Sequence, residues 1–142
     1  MMPTITPYVF LSGNCEAAFK FYGETMGATV KAVMKYSQSP CPAPEGMLPP
    51  GFEDKVMHGE MLIGNTTVFF SDGNDLTTKP AGFMLAFSTE SIEEAKRVFA
   101  GLSEGGNIHL PIGETFFSPC YGMLTDKYGV GWMVMVPGQA PQ

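Results

Sequence analysis

A histidine and a glutamate two positions apart are the residues best placed for acid–base chemistry. His58 and Glu60 lie in residues 56–63, whose pattern predicts a β-strand. Alternate residues of a strand share a face, so we expect the pair to lie roughly 6–7 Å apart at the backbone. An imidazole titrates near neutral pH, so His58 could exchange a proton with Glu60 or with a bound molecule. The alternative is a solvent-facing pair at a strand rim.

The opposite face of this strand is uniformly apolar and is predicted to pack against helices; its residues are Met57, Gly59, Met61 and Ile63. His58 and Glu60 must then face a cavity or solvent. The second histidine, His109, lies between Ile108 and Leu110 and is predicted to be a partly exposed strand residue.

The three cysteines form no CxxC pair. Cys15 is predicted to lie in the core, and Cys41, which stands between two prolines, in an exposed loop. Neither Cys41 nor Cys120 has a histidine nearby in sequence to lower its pKa, which disfavours a catalytic thiol. An odd cysteine count with no signal peptide predicts a reduced, cytoplasmic protein.

Composition excludes several classes of protein. The chain has 142 residues, 44% of them apolar and 15% charged, with a net charge of −6. This length fits a single domain or a fused pair of half-domains. The acidic balance argues against nucleic-acid binding, and no apolar run is long enough to span a membrane. So few charges indicate a partly apolar surface, as around a cavity or a subunit interface.

The first half is predicted to contain a strand, a helix and three further strands. Strand 4–11 carries Pro3 and Pro7 at its start, which favour an edge position. A helix follows, with Asn14 as its N-cap and Gly27 as its stop. Strands are then expected at residues 28–36, 56–63 and 66–71. Gly64 and Asn65 are expected to supply positive φ at a hairpin turn between the last two.

Residues 37–53 interrupt this pattern with five prolines, namely Pro40, Pro42, Pro44, Pro49 and Pro50. No regular element is expected there. Loops of this length are often lids or binding loops, and a passive surface loop is the alternative.

The second half repeats the order after a linker at residues 77–81. Strands are predicted at residues 83–88, 108–112, 121–125 and 132–136, with a helix after the first of them. Ser91 and Glu94 form a capping box for that helix, whose buried face is predicted to be Ile92, Ala95, Val98, Phe99 and Leu102. A shift of 77 residues superimposes the two helices and places Cys15 on Ile92 and Tyr22 on Phe99. The repeated order of elements therefore predicts two βαβββ modules.

Three stretches carry a family resemblance: residues 7–22, residues 58–72, and residues 114–134 with the segment DKYGVGWM. In these the chain resembles the vicinal oxygen chelate superfamily, which includes glyoxalase I, extradiol dioxygenases and the fosfomycin and bleomycin resistance proteins. Within it the chain is similar to the PhnB-like branch, named for a protein encoded in phosphonate operons. Phe117 stands where that branch often carries Trp, which keeps an aromatic wall but loses an N–H donor.

The resemblance implies an α+β fold in which two βαβββ modules form a curled mixed sheet around a cavity. We expect one glyoxalase-like domain over residues 1–142, with modules at 1–76 and 82–142. It also implies a homodimer. The branch is sometimes labelled a demethylubiquinone methyltransferase, but no Gly-rich turn joins a strand to a helix here, as a nucleotide-like cofactor would need.

Superfamily enzymes hold a divalent metal with His and Glu side chains that point into the cavity. Alignment places the corresponding positions near Pro7, Phe70, Phe83 and Met133, none of which can bind such an ion. The first and last strands contain no His, Asp, Glu or Cys at all. We therefore predict no metal and no other cofactor.

The preferred hypothesis is a protein that binds a small, partly apolar molecule in its cavity. The predicted pocket residues are His58, Glu60, Phe70, Phe83, Phe117, Tyr121 and Met133. One alternative is a metal-dependent lyase, transferase or dioxygenase, in which His58, Glu60 and Glu114 would be an unorthodox ligand set. Another is a metal-free acid–base enzyme that uses His58 and Glu60. The sequence does not decide whether any reaction is catalysed.

Overall fold

The computed structural model describes residues 2–41 and 44–138. It divides into two compact units, Met1–Lys79 and Pro80–Gln142, each with its own four-stranded sheet. Both units contain a strand, a helix and three further strands, which confirms the α+β fold class and the repeated βαβββ order. The curling of the sheets around a cavity stays a prediction.

The N-terminal unit consists of β1 (Tyr8–Phe10), α1 (Cys15–Met26), β2 (Thr29–Lys35), β3 (Val56–Ile63) and β4 (Thr66–Ser71). Its sheet has the order β1-β4-β3-β2; β1 runs parallel to β4, and the other pairs are antiparallel. β1 is an edge strand, as its prolines predict, but it is shorter than expected. Pro7 has no N–H to donate, so pairing starts with its carbonyl, which accepts from Phe69 N at 2.9 Å.

The C-terminal unit consists of β5 (Leu85–Ser88), α2 (Ile92–Ser103), β6 (Asn107–Gly113), β7 (Cys120–Thr125) and β8 (Gly131–Val136). Its sheet order, β5-β8-β7-β6, repeats the topology of the first unit. The helices are offset by 77 residues at both ends (92 − 15 and 103 − 26). This is the shift that the sequence pattern indicates.

The core of the N-terminal unit lies between α1 and one face of its sheet. Phe70 is fully buried there, with its ring centroid 5.6 Å from Phe19 and 6.0 Å from Tyr22. Gly59 lies directly under α1: a Cβ atom at that position would be 2.6 Å from Cζ of Phe19. Gly59, Met61 and Ile63 of the apolar face predicted for β3 are buried on the side of the helix, whereas Met57, also predicted there, is only half-buried.

The core of the C-terminal unit is built in the same way around α2. Its buried residues include Val98, Phe99, Leu102, Trp132 and Val134. Ile92, predicted to be buried, is 43% exposed because it occupies the first position of the helix, beyond the edge of this core. Buried Asp126 shapes the β7–β8 turn: it accepts from Tyr128 N at 2.8 Å and from Trp132 Nε1 at 2.9 Å.

The helix starts differ in part from prediction. Ser91 caps α2 by accepting from Glu94 N at 3.1 Å, but the Glu94 carboxylate bonds the hydroxyl of Thr89 instead of closing the box. Asn14 occupies the N-cap position of α1 without capping it, since its side chain donates to Leu11 O at 3.2 Å. The helix N–H group at Cys15 is satisfied instead by Asp72, at 2.9 Å.

Turn and loop geometry also refine the predictions. Gly64 has φ of +60°, whereas Asn65 has no positive φ, as in a type II′ turn. Two short 3₁₀ turns, Tyr36–Gln38 and Phe52–Asp54, bound the proline-rich loop, which was expected to hold no regular element. Pro42 lies outside the described residues. In the described part of the loop, Tyr36, Pro44, Leu48 and Glu53 help to line a recess of about 330 Å³.

None of the helices in the described ranges is long and apolar enough to cross a membrane.

Candidate functional site

The candidate site is one face of the N-terminal sheet. β3 alternates between Gly59, Met61 and Ile63, which face α1, and His58, Glu60 and Leu62, which point the other way. Strand register places Phe69 of β4 opposite Glu60 and Tyr8 of β1 opposite Phe69. We call this side, opposite α1, the distal face; its residues are Tyr8, Phe10, His58, Glu60, Leu62, Thr67 and Phe69.

Three side chains of the distal face form a continuous hydrogen-bonded chain. The Tyr8 hydroxyl lies 3.0 Å from Nδ1 of His58, and Nε2 of the same ring lies 3.1 Å from Oε2 of Glu60. An ionised carboxylate can only accept, so we assign the imidazole proton to Nε2. Nδ1 is then an acceptor, and Tyr8 O–H donates to it. The arrangement is a phenol, an imidazole and a carboxylate in series.

Aromatic rings surround this chain. Tyr8 stacks on Phe10 with centroids 5.1 Å apart and an interplanar angle of 22°. Phe69 presents its ring edge-on to His58 at 5.0 Å and to Tyr8 at 5.9 Å. These contacts hold the His58 ring between two elements that are distant in sequence. Tyr8 and Phe10 remain 42% and 48% exposed, so the aromatic surface is accessible from the distal side.

The electrostatics of the site keep Tyr8 protonated. Partial burial raises the pKa of its hydroxyl above the ordinary value of 10.0, and Tyr36 and Cys15 act in the same direction. A neutral phenol can donate to His58, as the assigned geometry requires. One cation lies on this side of the sheet as well: Nζ of Lys31 donates to Oγ1 of Thr67 at 3.2 Å. The face thus combines apolar rings, a proton-exchanging chain and an ammonium group.

The structure brings together some predicted pocket residues and separates others. His58 and Glu60 share a face and are bonded, as their spacing predicts. Phe70 was expected on the same side but is fully buried against α1. The expectation for Phe70 is corrected by the register: Phe69 pairs with Glu60, so its neighbour Phe70 points to the opposite face.

The remaining predicted pocket residues belong to the C-terminal unit. Phe117 packs edge-on against Tyr121 at 4.9 Å, and the Tyr121 hydroxyl donates to Sδ of Met133 at 3.6 Å. These three therefore form one cluster. Phe83 precedes β5, instead of starting it as predicted, and is 47% exposed. His109 is exposed as expected, and its Nε2 lies 2.6 Å from Oγ1 of Thr125.

A divalent metal does not fit the donor set on the distal face. Zn²⁺ and similar ions take three or four imidazole, thiolate or carboxylate ligands in proteins. Here both nitrogens of His58 already bond to Tyr8 and Glu60. Within residues 2–41 and 44–138, no three His, Cys, Asp or Glu side chains are grouped as a metal site would need. Glu114 lies in the other unit, after β6.

Sequence reasoning missed three residues of the site, namely Tyr8, Phe10 and Phe69. The alternation of Tyr8 and Phe10 with Val9 and Leu11 signals a two-faced strand. The parallel pairing of β1 with β4, which brings Tyr8 to His58, joins residues 50 positions apart and has no local signal.

The fold is of the glyoxalase/bleomycin resistance type. At the level of fold, it is similar to FosX, a fosfomycin resistance protein of Listeria monocytogenes (11% identity, TM-score 0.60, 96% of this chain and 93% of the other). It is likewise similar to a glyoxalase/bleomycin resistance protein/dioxygenase from Nocardioides (16% identity, TM-score 0.58, 100% and 88%).

Closer relatives define the family. Residues 3–135 match the family described as 3-demethylubiquinone-9 3-methyltransferase. Protein YjdN of Escherichia coli K12 is 31% identical over 96% of this chain and 97% of its own length. Among solved structures, protein PA1353 of Pseudomonas aeruginosa has 33% identity and a TM-score of 0.84 over 97% of this chain and 100% of its own. A PhnB protein of Bacillus cereus has 28% identity and a TM-score of 0.75 over 94% and 99%. The chain belongs to this PhnB-like family.

Proposed function

We propose that this PhnB-like protein binds a small, partly apolar molecule on the distal face and does so without a resident divalent metal. The observation that supports this most directly is the Tyr8–His58–Glu60 chain among exposed aromatic rings. Small-molecule sites are typically apolar and aromatic with a few placed polar groups. We also expect a cytoplasmic homodimer that binds no nucleic acid, in line with the superfamily resemblance and the net charge of −6.

A second candidate function is metal-free acid–base catalysis. The hydrogen-bonded chain favours it, because a histidine oriented by a carboxylate is a common general base. Binding and catalysis would use the same residues. They differ in whether the bound molecule leaves chemically changed.

The family description names a methyl transfer. No Gly-rich turn joins a strand to a helix in this sequence, as a nucleotide-like cofactor would need. We therefore expect no stabilisation by S-adenosylmethionine, the usual methyl donor.

The test is the melting temperature of metal-stripped protein. Zn²⁺, Ni²⁺, Mn²⁺, Fe²⁺, S-adenosylmethionine and a set of planar aromatic compounds are added separately. A ligand of the native state stabilises it by mass action, about 2.7 kcal/mol at a hundredfold excess over Kd. We expect aromatic compounds to raise the melting temperature and the metals to leave it unchanged. His58→Gln should reduce the aromatic effect, whereas His109→Gln, which alters the other histidine, should not.

Metal-free binding would be refuted by an ion that binds stoichiometrically and raises the melting temperature of the unaltered protein, if His58→Gln and Glu60→Gln both fail to bind it. Stabilisation by aromatic compounds that is equal in both histidine variants would move the binding site away from the distal face.

A further inference from the structure

The hydrogen-bonded chain ends at Tyr8 and not at His58. Both nitrogens of His58 are engaged, so a ligand could bond to the imidazole only by breaking one of these contacts. The Tyr8 oxygen donates its single proton to Nδ1 and keeps lone pairs that can accept. Tyr8 is 42% exposed, and the Glu60 carboxylate at the other end of the chain is already paired with His58. The phenol oxygen is therefore the acceptor through which a ligand proton can reach Nδ1 of His58 without either contact being broken.

We infer that Tyr8 is the ligand-contacting end of a proton relay through His58 to Glu60, and that the ligand carries an acidic hydroxyl on a planar ring. The inference rests on the proposed binding function and names both its contact residue and its ligand class.

The relay conserves atoms and charge without an outside reactant. The ligand hydroxyl donates to the Tyr8 oxygen and passes its proton to it as the phenol proton moves to Nδ1 of His58. Tyr8 is left as a neutral phenol, the ligand as an oxyanion and His58 as an imidazolium. Glu60 stabilises that imidazolium through its 3.1 Å contact with Nε2. The reverse transfer returns the proton.

The surroundings match a planar, acidic ligand. Phe10 and Tyr8 stack nearly parallel on each other and both remain partly exposed, so an outer face of this stack offers a flat apolar surface. The ammonium group of Lys31, bonded to Thr67 at 3.2 Å, adds a positive charge to the same face of the sheet. Among the described residues of this sheet, Glu60 is the other charged group on the face, and it already pairs with His58.

The relay can be tested first without any ligand, by NMR of the imidazole nitrogens. The chain has only two histidines, and His109→Gln assigns their signals. We expect neutral His58 to carry its proton on Nε2. Tyr8→Phe should shift the Nδ1 signal, because that nitrogen loses its donor. Tyr128→Phe, which removes a phenolic oxygen from the β7–β8 turn, should not. A proton on Nδ1 in the unaltered protein would overturn the relay.

The ligand class is tested with para-nitrophenol and its methyl ether, para-nitroanisole, which has no proton to give. At about pH 6, in the range where proton exchange with an imidazole can be followed, bound nitrophenol should show more nitrophenolate absorbance than free nitrophenol. It should bind about tenfold more tightly than the ether, the size expected for one hydrogen bond to an ionised group. Tyr8→Phe should abolish both differences, whereas Tyr128→Phe should preserve them.

The outcomes separate this inference from the proposed function. Equal binding of the two probes, with no ionisation, overturns the relay but leaves apolar binding intact. If neither probe binds while other planar compounds still stabilise the protein, the acidic ligand class is wrong. If no planar compound stabilises it, the proposed function fails as well.

Discussion

At the scale of single residues, the side chain of Asp72 links two elements that are distant in sequence. The turn that follows β4 does not depend on this side chain, because Gly73 N donates to the Ser71 hydroxyl at 2.9 Å. The fully buried Asp72 carboxylate accepts from Cys15 N at 2.9 Å and from Val56 N at 2.8 Å. One side chain thus joins the start of α1 to the start of β3. The contacts span 57 and 16 positions, so no local motif shows them.

This role predicts a large loss of stability for Asp72→Ala. Two buried N–H groups would lose their acceptor, each at a cost of about 1–3 kcal/mol, and one of them is a helix cap. We expect the free energy of unfolding to fall by about 3 kcal/mol in urea titrations. Asp75→Ala is the control, because that carboxylate serves only an exposed turn at Thr77 and Thr78. Equal losses in the two variants would show that the buried link contributes little.

At the scale of elements, periodicity predicted most of the architecture. The three strands with clear alternation, β3, β7 and β8, begin and end within a residue of expectation, since burial on one face fixes their pattern. β1 and β5 are shorter than predicted, and each begins after a proline-containing stretch. Part of the site was predicted: His58 and Glu60 are two residues apart on one strand, so they were expected to share a face. The contact with Tyr8 was not predicted, because it depends on the order of the strands in the sheet, which the sequence does not show.

The contact between α1 and β3 yields a prediction about strand and helix together. Gly59→Ala would place a Cβ atom 2.6 Å from the Phe19 ring, so the ring or the helix must move. Overpacking of this kind costs about 1–3 kcal/mol. Phe19→Leu in the same chain should restore part of the loss by making room. Gly113→Ala, in β6 with nothing within 4 Å, is the matched control and should be neutral or slightly stabilising. Chemical denaturation of all four proteins measures this, and a neutral Gly59→Ala would contradict the packing described.

At the scale of the whole molecule, burial of protonated groups ties stability to alkaline pH. Burial, followed by the neighbouring Asp72 carboxylate, raises the pKa of the Cys15 thiol well above its ordinary value of 9.0. Burial also raises the pKa of Tyr8 and of Tyr128 above 10.0, one in each unit. All three groups keep their protons in the folded chain at a pH where the unfolded chain has begun to lose them.

The sign of the effect follows from proton linkage. Below pH 9 neither state has lost the Cys15 proton, and its contribution to stability is fully present. As the pH rises above 9.0, the unfolded chain binds fewer protons than the folded chain, so the free energy of unfolding falls. For Cys15 the slope approaches about 1.4 kcal/mol per pH unit. The tyrosines steepen the loss above 10.0.

Cys15→Ala measures how much the thiol contributes to the fall in the free energy of unfolding at alkaline pH. The backbone N–H of residue 15, which bonds to Asp72, is retained in this variant. Urea titrations under reducing conditions, from about pH 8 to about pH 10.5, should give a shallower decline for Cys15→Ala than for the unaltered chain. Cys41→Ala, which removes an exposed thiol, should decline as the unaltered chain does. Parallel curves for all three proteins would mean that the Cys15 thiol ionises in the folded state as readily as in the unfolded one. The alkaline loss would then have to come from the tyrosines, and it should begin about one pH unit higher, where unfolded tyrosine titrates.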